Sequence, residues 1–126
     1  MGAGHALVVD DDETIREVAQ MALELVGGWR VTTAADGAEA VELARTHRPD
    51  VVLLDVMLPR VDGPAILSML RAESATRDIP IIYLTAKATP GREEEWSQTG
   101  ATGVIAKPFD PMTLADDVAR LIGRDT

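Results

Sequence analysis

Val51-Val52-Leu53-Leu54-Asp55 is a run of aliphatic residues closed by one carboxylate. Three other stretches repeat the pattern. Leu7-Val8-Val9 runs into Asp10-Asp11, Ile81-Ile82-Tyr83-Leu84 into Thr85, and Gly103-Val104-Ile105-Ala106 into Lys107-Pro108. Short apolar runs of this kind are the central strands of a parallel sheet covered on both faces. In an open α/β sheet, ligands bind outside the carboxyl ends of the strands. Three carboxylates, a hydroxyl and an ammonium then converge on one crevice. Such a set suits a metal ion and a phosphoryl group.

The segments between the runs read as helices. After a first strand at about Ala6 to Asp10, residues Ile15, Val18, Ala19, Ala22, Leu25 and Val26 recur at helical spacing, and Gly27-Gly28 stops them. Asp12 immediately precedes this helix and reads as its N-cap. Trp29 to Ala34 is a second strand. Asp36 and Glu39 form a capping box for the next helix, and Pro49 forbids its continuation. Pro59 and Asp62-Gly63 shape the loop after Asp55. Ile66, Leu67 and Leu70 form the inner stripe of a third helix. Pro80 precedes the fourth strand. Thr89-Pro90 opens a polar helix carrying Glu93-Glu94-Glu95 and a single large apolar anchor, Trp96. Asp110-Pro111 opens the last helix, with Leu114, Val118, Leu121 and Ile122 facing inward. His5 reads as part of a disordered terminus and His47 as a surface residue. The whole is a (βα)5 arrangement, α/β and doubly wound, with right-handed crossovers putting helices on both faces of a five-stranded parallel sheet.

Bulk properties narrow the function. A chain of 126 residues is expected to be a single domain with one sizeable core. Its net charge of −9 disfavours direct contact with nucleic acid or an anionic membrane surface. No apolar run approaches the roughly 18 residues that span a bilayer. Met1-Gly2-Ala3-Gly4-His5 has neither the basic segment nor the apolar core of a signal peptide. The cytoplasm is the expected location. There is no cysteine, hence no thiolate chemistry.

Asp10, Asp11 and Asp55 in one crevice repel each other unless a cation neutralises them. Oxygen-only ligands select a hard cation, and Mg²⁺ commonly takes one or two carboxylates and bridges to a phosphoryl oxygen. Lys107 adds a positive point charge for the same oxygens, and Thr85 a hydroxyl donor. Phosphoryl transfer needs mainly positioning and charge neutralisation. With no cysteine, and with His5 and His47 away from the strand ends, the nucleophile is expected to be a carboxylate.

At Leu-Val-Val-Asp10-Asp11, Leu-Leu-Asp55-Val-Met-Leu-Pro59, Tyr-Leu-Thr85-Ala86 and Ala-Lys107-Pro108-Phe109, the chain resembles the receiver domain of bacterial two-component response regulators. The resemblance runs from about Ala6 to Ile122. It implies a flavodoxin-like three-layer sandwich with strand order 2-1-3-4-5, and a single receiver domain over residues 1–126 with no output domain in this chain. It further implies that Asp55 takes a phosphoryl group from a sensor histidine kinase or phosphotransfer protein. Asp11 and Asp55 would bind Mg²⁺ with the Met57 backbone carbonyl, and Asp10 would act mainly through metal-bound water. Thr85 would bond the phosphoryl group, and Lys107 would pair with it, or with Asp55 beforehand. Met57 and Lys87 would tune its lifetime. The Lys107-Pro108 bond would be a candidate cis peptide. The output surface would be the fourth helix, fifth strand and fifth helix, presented to a downstream protein or an output domain. Such a protein is a phospho-acceptor that promotes its own phosphotransfer and dephosphorylation, not an enzyme acting on other substrates.

The chain departs from the family pattern at Val104. Three residues before the lysine the family often carries Tyr or Phe as a rotating switch, and valine has only methyl groups to move. Two other readings fit parts of the chain. Asp10-x-Asp12-x-Thr14 matches the motif of haloacid-dehalogenase-type phosphatases, with Asp10 as nucleophile. That fold needs a further acidic pair on a strand, whereas Asp116-Asp117 falls inside an amphipathic helix. A degenerate receiver that only binds partners would keep the fold without the modification.

Overall fold

Alternate residues along each strand enter two different cores, which is how one sheet supports helices on both faces. The computed structural model describes residues 4–86 and 100–123. The strands are β1 (Gly4–Val9), β2 (Trp29–Ala34), β3 (Val51–Asp55), β4 (Ile81–Thr85) and β5 (Gly103–Ala106). All neighbours pair in parallel, in the order β2-β1-β3-β4-β5. The helices of the described residues are α1 (Glu13–Leu25), α2 (Gly37–His47), α3 (Gly63–Ala72) and α4 (Leu114–Leu121). The polar helix expected after Thr89, with Glu93 to Glu95 and Trp96, and the residue Lys87 lie outside the described residues.

Leu7, Val9, Val52, Leu54, Ile81 and Tyr83 pack with Ala40, Ala44, Ile66, Leu67 and Leu70 of α2 and α3. Ala6, Val8, Val51, Leu53, Ile82 and Leu84 pack with Ala19, Ala22, Leu23, Leu114 and Val118 of α1 and α4. β3 and β4 are buried at every residue, so they are the centre of the sandwich. The three-layer architecture and strand order are those expected.

The helix starts follow their capping residues. The Asp12 carboxylate accepts from the Thr14 and Ile15 N–H groups at the head of α1. Asp36 accepts from Glu39 N–H, and Glu39 reaches back to Ala35 N–H, one residue before the cap. Asp62 accepts from Ala65 N–H, with Pro64 in the first turn of α3. α2 ends at His47, and Arg48 turns left-handed at φ 45° ahead of Pro49.

Three local expectations are corrected. Leu25 and Val26 do not face the core: they are 79% and 45% exposed, and Leu23 is buried instead. Leu25 lies roughly a third of a turn round the helix from Ala19, Ala22 and Leu23, and Val26 is the C-cap, where the chain already turns away. His5 is not a loose terminus. It pairs with Arg30 in β1, its N–H donates to Asp50 Oδ2 at 2.8 Å, and its Nε2 lies 2.6 Å from Thr32 Oγ1. The last helix begins at Leu114, later than Asp110-Pro111, because Asp110 Oδ1 accepts from Met112 N–H in a preceding turn.

Candidate functional site

Each strand that carries a candidate residue ends at the same edge of the sheet. Val9 is level with Leu54, and Asp55 with Leu84, so Asp10, Asp55 and Thr85 follow one another across β1, β3 and β4. Thr85 pairs with Ala106, and its carbonyl accepts from Lys107 N–H at 3.0 Å. The sheet brings one carboxylate oxygen from each of Asp10, Asp11 and Asp55 within 4.8 Å of one another. Asp10, Asp55 and Thr85 are buried, whereas Asp11 is exposed.

Asp10 is held at every polar atom. Its N–H donates to Ala34 O at 3.1 Å. Its carbonyl accepts from Arg16 Nη1 at 2.8 Å, Oδ1 accepts from Asp12 N–H at 2.9 Å, and Oδ2 accepts from Lys107 Nζ at 2.6 Å. Lys107 lies 3.2 Å from Asp55 Oδ1, which also accepts from Met57 N–H at 3.1 Å. Asp55 Oδ2 has no hydrogen-bond partner among the described residues. Met57, two residues past Asp55, is 60% exposed at the rim. The Lys107–Pro108 bond is cis.

Burial pushes the Asp10 carboxyl above its ordinary range; the Lys107 and Asp12 hydrogen bonds oppose this, and the Asp55 charge adds to it. Burial pulls Lys107 down, but its bond to Asp10 and the charges of Asp10 and Asp55 outweigh that and hold the ammonium above its usual value. The crevice therefore keeps a protonated lysine against two carboxylates. All its acidic ligand atoms are oxygens, and their crowding suits a hard divalent cation.

Arg16 stands behind this site, on the Asp10 carbonyl, and the sequence reading missed it. Four residues after the N-cap, it lies one helical turn on and reaches back to the end of β1. The phosphatase reading loses its geometry. The Asp12 side chain is spent on capping α1, and Asp117 pairs with Arg120 on α4 rather than facing the crevice. Val104 is half-buried against the α2/α3 core, in register with the buried Tyr83.

The response regulator receiver domain profile matches residues 6–119. The chain belongs to the receiver domain family of two-component response regulators. It is 37% identical to the response regulator Rre1 of Synechocystis over 118 residues, covering 94% of this chain and 51% of that protein. The transcriptional regulatory protein CseB of Streptomyces coelicolor is 39% identical, over 95% of this chain and 50% of its own length. The chain thus spans about half the length of these curated relatives. Among solved structures, the chemotaxis response regulator CheY4 of Vibrio cholerae superposes with a TM-score of 0.84 at 37% identity, covering 93% of this chain and 97% of that one. The receiver domain of the sensor histidine kinase PA1611 of Pseudomonas aeruginosa, solved with a magnesium ion coordinated in its active-site cleft, gives 0.84 at 37% identity over 98% and 99%. As a receiver domain, the chain is a signalling protein.

Proposed function

We propose that this receiver accepts a phosphoryl group on Asp55, with Mg²⁺ held by Asp10, Asp11, Asp55 and the Met57 carbonyl. The observation that carries the reading is the contrast between two buried carboxylates. Both Asp10 oxygens are engaged, by Asp12 N–H and by Lys107, while Asp55 keeps Oδ2 without a partner beside a lysine. That free oxygen is the natural nucleophile. It attacks phosphorus of a phosphohistidine or small acyl phosphate. The new O–P bond forms as the bond from phosphorus to the donor breaks and the donor leaves with the electron pair, an acyl phosphate releasing its carboxylate and a phosphohistidine protonated at its other ring nitrogen releasing a neutral imidazole. When bound, Mg²⁺ supplies positive charge that offsets the crowded carboxylates and the phosphoryl oxygens. Lys107 can move from Asp10 and Asp55 to a phosphoryl oxygen without leaving the crevice. Thr85 contributes its hydroxyl from the end of β4.

A sensor histidine kinase or phosphotransfer protein is the proposed donor, and the cytoplasm the proposed location. Among the described residues no helix is long and apolar enough to cross a membrane. An apolar groove between α1 and the Pro111-Met112 turn, with Met21, Leu25 and Val26 on its helical side, supports a protein donor. Its helical side runs along α1 from Val18 to Val26, and its other side is the turn that follows Lys107 in sequence. A downstream protein or an output domain is proposed to read the modified state on the β5–α4 side.

The test is phosphorylation with a small acyl phosphate and MgCl₂, read by intact mass. One phosphoryl group should be added to the parent chain and none to Asp55→Asn. Undiminished labelling of Asp55→Asn would move the nucleophile elsewhere, and an unlabelled parent would favour a receiver that only binds partners.

A further inference from the structure

We propose that Arg16 is a positioning residue for the metal site, acting through the backbone of Asp10 to aim the carboxylate of Asp11. The inference rests on the reading of Asp10, Asp11 and Asp55 as Mg²⁺ ligands. β1 leaves the sheet at Val9, its last paired residue. The Asp10 carbonyl lies just past that point, where the sheet offers it no further rung. A buried carbonyl without a partner is costly. Arg16 supplies the partner, donating from Nη1 at 2.8 Å.

The consequence falls on Asp11. Peptide units are planar, so fixing the Asp10 carbonyl fixes the whole unit that joins Asp10 to Asp11. The next unit, joining Asp11 to Asp12, is fixed by Asp12 N–H donating to Asp10 Oδ1 at 2.9 Å. Both planes that flank Asp11 are thereby pinned, and with them its φ and ψ. Asp11 is the exposed member of the three-carboxylate cluster. Its side chain is exposed, so the aim of its carboxylate depends largely on its backbone. Arg16 sits half-buried in the first turn of α1, and its own N–H donates to Asp12 O at 3.0 Å. The helix head, the cap and the turn form one frame around Asp11.

Charge and positioning make opposite demands, and this is what makes the role measurable. By Coulomb's law alone, a guanidinium next to a cation site repels the cation, so removing it should tighten Mg²⁺ binding. If Arg16 positions Asp11, removing it should weaken binding, by about tenfold, as loss of a supporting partner behind a metal ligand typically does.

The experiment is calorimetric titration of MgCl₂ into the parent chain, Arg16→Ala, Arg16→Gln and Arg16→Lys, with folding checked by circular dichroism. The expected result is weaker Mg²⁺ binding in Arg16→Ala and Arg16→Gln, with substantial recovery in Arg16→Lys, whose ammonium can reach the same carbonyl. The rate of Asp55 labelling in Arg16→Ala should then return to the parent level at saturating Mg²⁺, showing a defect in metal affinity and not in the chemical step. Binding in the neutral variants as tight as the parent's, or tighter, overturns the proposal. If Arg16→Ala does not fold, Arg16→Gln carries the same test. A parent chain that binds no Mg²⁺ overturns the metal reading itself and this inference with it, an outcome distinct from a defect confined to the variants.

Discussion

Lys107 is bonded to Asp10 at 2.6 Å and stands 3.2 Å from Asp55, so in the unmodified protein its shorter contact is with the carboxylate that is not the proposed acceptor. The ammonium thereby keeps a buried carboxylate ionised while leaving Asp55 able to react.

Replacing Lys107 by alanine or methionine should therefore destabilise the fold through Asp10. Removing one partner of a buried pair leaves an uncompensated charge and costs about 3 kcal/mol. Burial already raises the Asp10 pKa, and without the lysine it rises further. A group with a raised folded pKa contributes stability that is present at low pH and lost as pH rises through the folded value. The deficit of Lys107→Met relative to the parent should thus shrink as pH falls from 7 toward 5, as measured by urea unfolding. Labelling of Asp55 should slow but persist. A deficit that does not change over that range would place the lysine's main partner elsewhere.

Mg²⁺ should raise the melting temperature of the parent. With free metal at about ten times its dissociation constant, linkage gives about 1.4 kcal/mol. Asp11→Ala should remove most of that gain while costing little in metal-free stability, because Asp11 is exposed. Asp10→Ala should lose stability even without metal, since it removes the carboxylate that accepts from Lys107 and from Asp12 N–H. Scanning calorimetry with and without MgCl₂ separates the two.

The strand ends were legible because an apolar run closed by one polar residue is a local signal, and Asp10, Asp55, Thr85 and Lys107 each end such a run. The sheet order came from the resemblance, and the two-sided packing from the uninterrupted apolar runs and the right-handed hand of the crossovers. What was not legible is what each polar group bonds once the ends meet. Arg16 on an amphipathic helix looks like any solvated arginine until the Asp10 carbonyl is seen beneath it. His5 carries no such local signal, because its hydrogen-bond partners Thr32 and Asp50 come from distant segments. The late start of α4 reflects Asp110 using its side chain on Met112 N–H, a choice that sequence patterning does not register.

His5 should give stability a pH dependence unrelated to the crevice. Burial, then Arg30 and His47, lower its pKa, and Asp50 opposes them in part. The rings of His5 and His47 meet edge to face at 5.6 Å. A depressed folded pKa contributes stability that is fully present above the unfolded value of about 6.5 and is lost as pH falls through the folded value. His5→Gln should flatten the stability profile of the parent just below that pH without altering Asp55 labelling. Parallel profiles for parent and variant would show that His5 is not the titrating group.

Gly63→Ala should damage the site more than the fold. A Cβ at Gly63 would stand 2.9 Å from Val56 Cα and 3.0 Å from Asp55 O, both backbone atoms. Backbone cannot turn aside as a side chain can, so either α3 or the end of β3 must shift. Overpacking of this kind costs about 1–3 kcal/mol. Gly63 N–H also closes the loop by donating to Val56 O at 2.9 Å. The atoms displaced flank the proposed acceptor Asp55 and the Met57 carbonyl, so Mg²⁺ affinity should fall along with stability. Gly27→Ala is the control. Its Cβ would meet Ala115 Cβ at 2.6 Å and Trp29 Cδ1 at 2.8 Å, at the opposite end of α1 from the crevice. It should lose stability while keeping parental Mg²⁺ affinity and labelling rate. Equal losses of Mg²⁺ affinity in the two variants would mean that metal binding follows global stability, and that Gly63 has no special place beside Asp55.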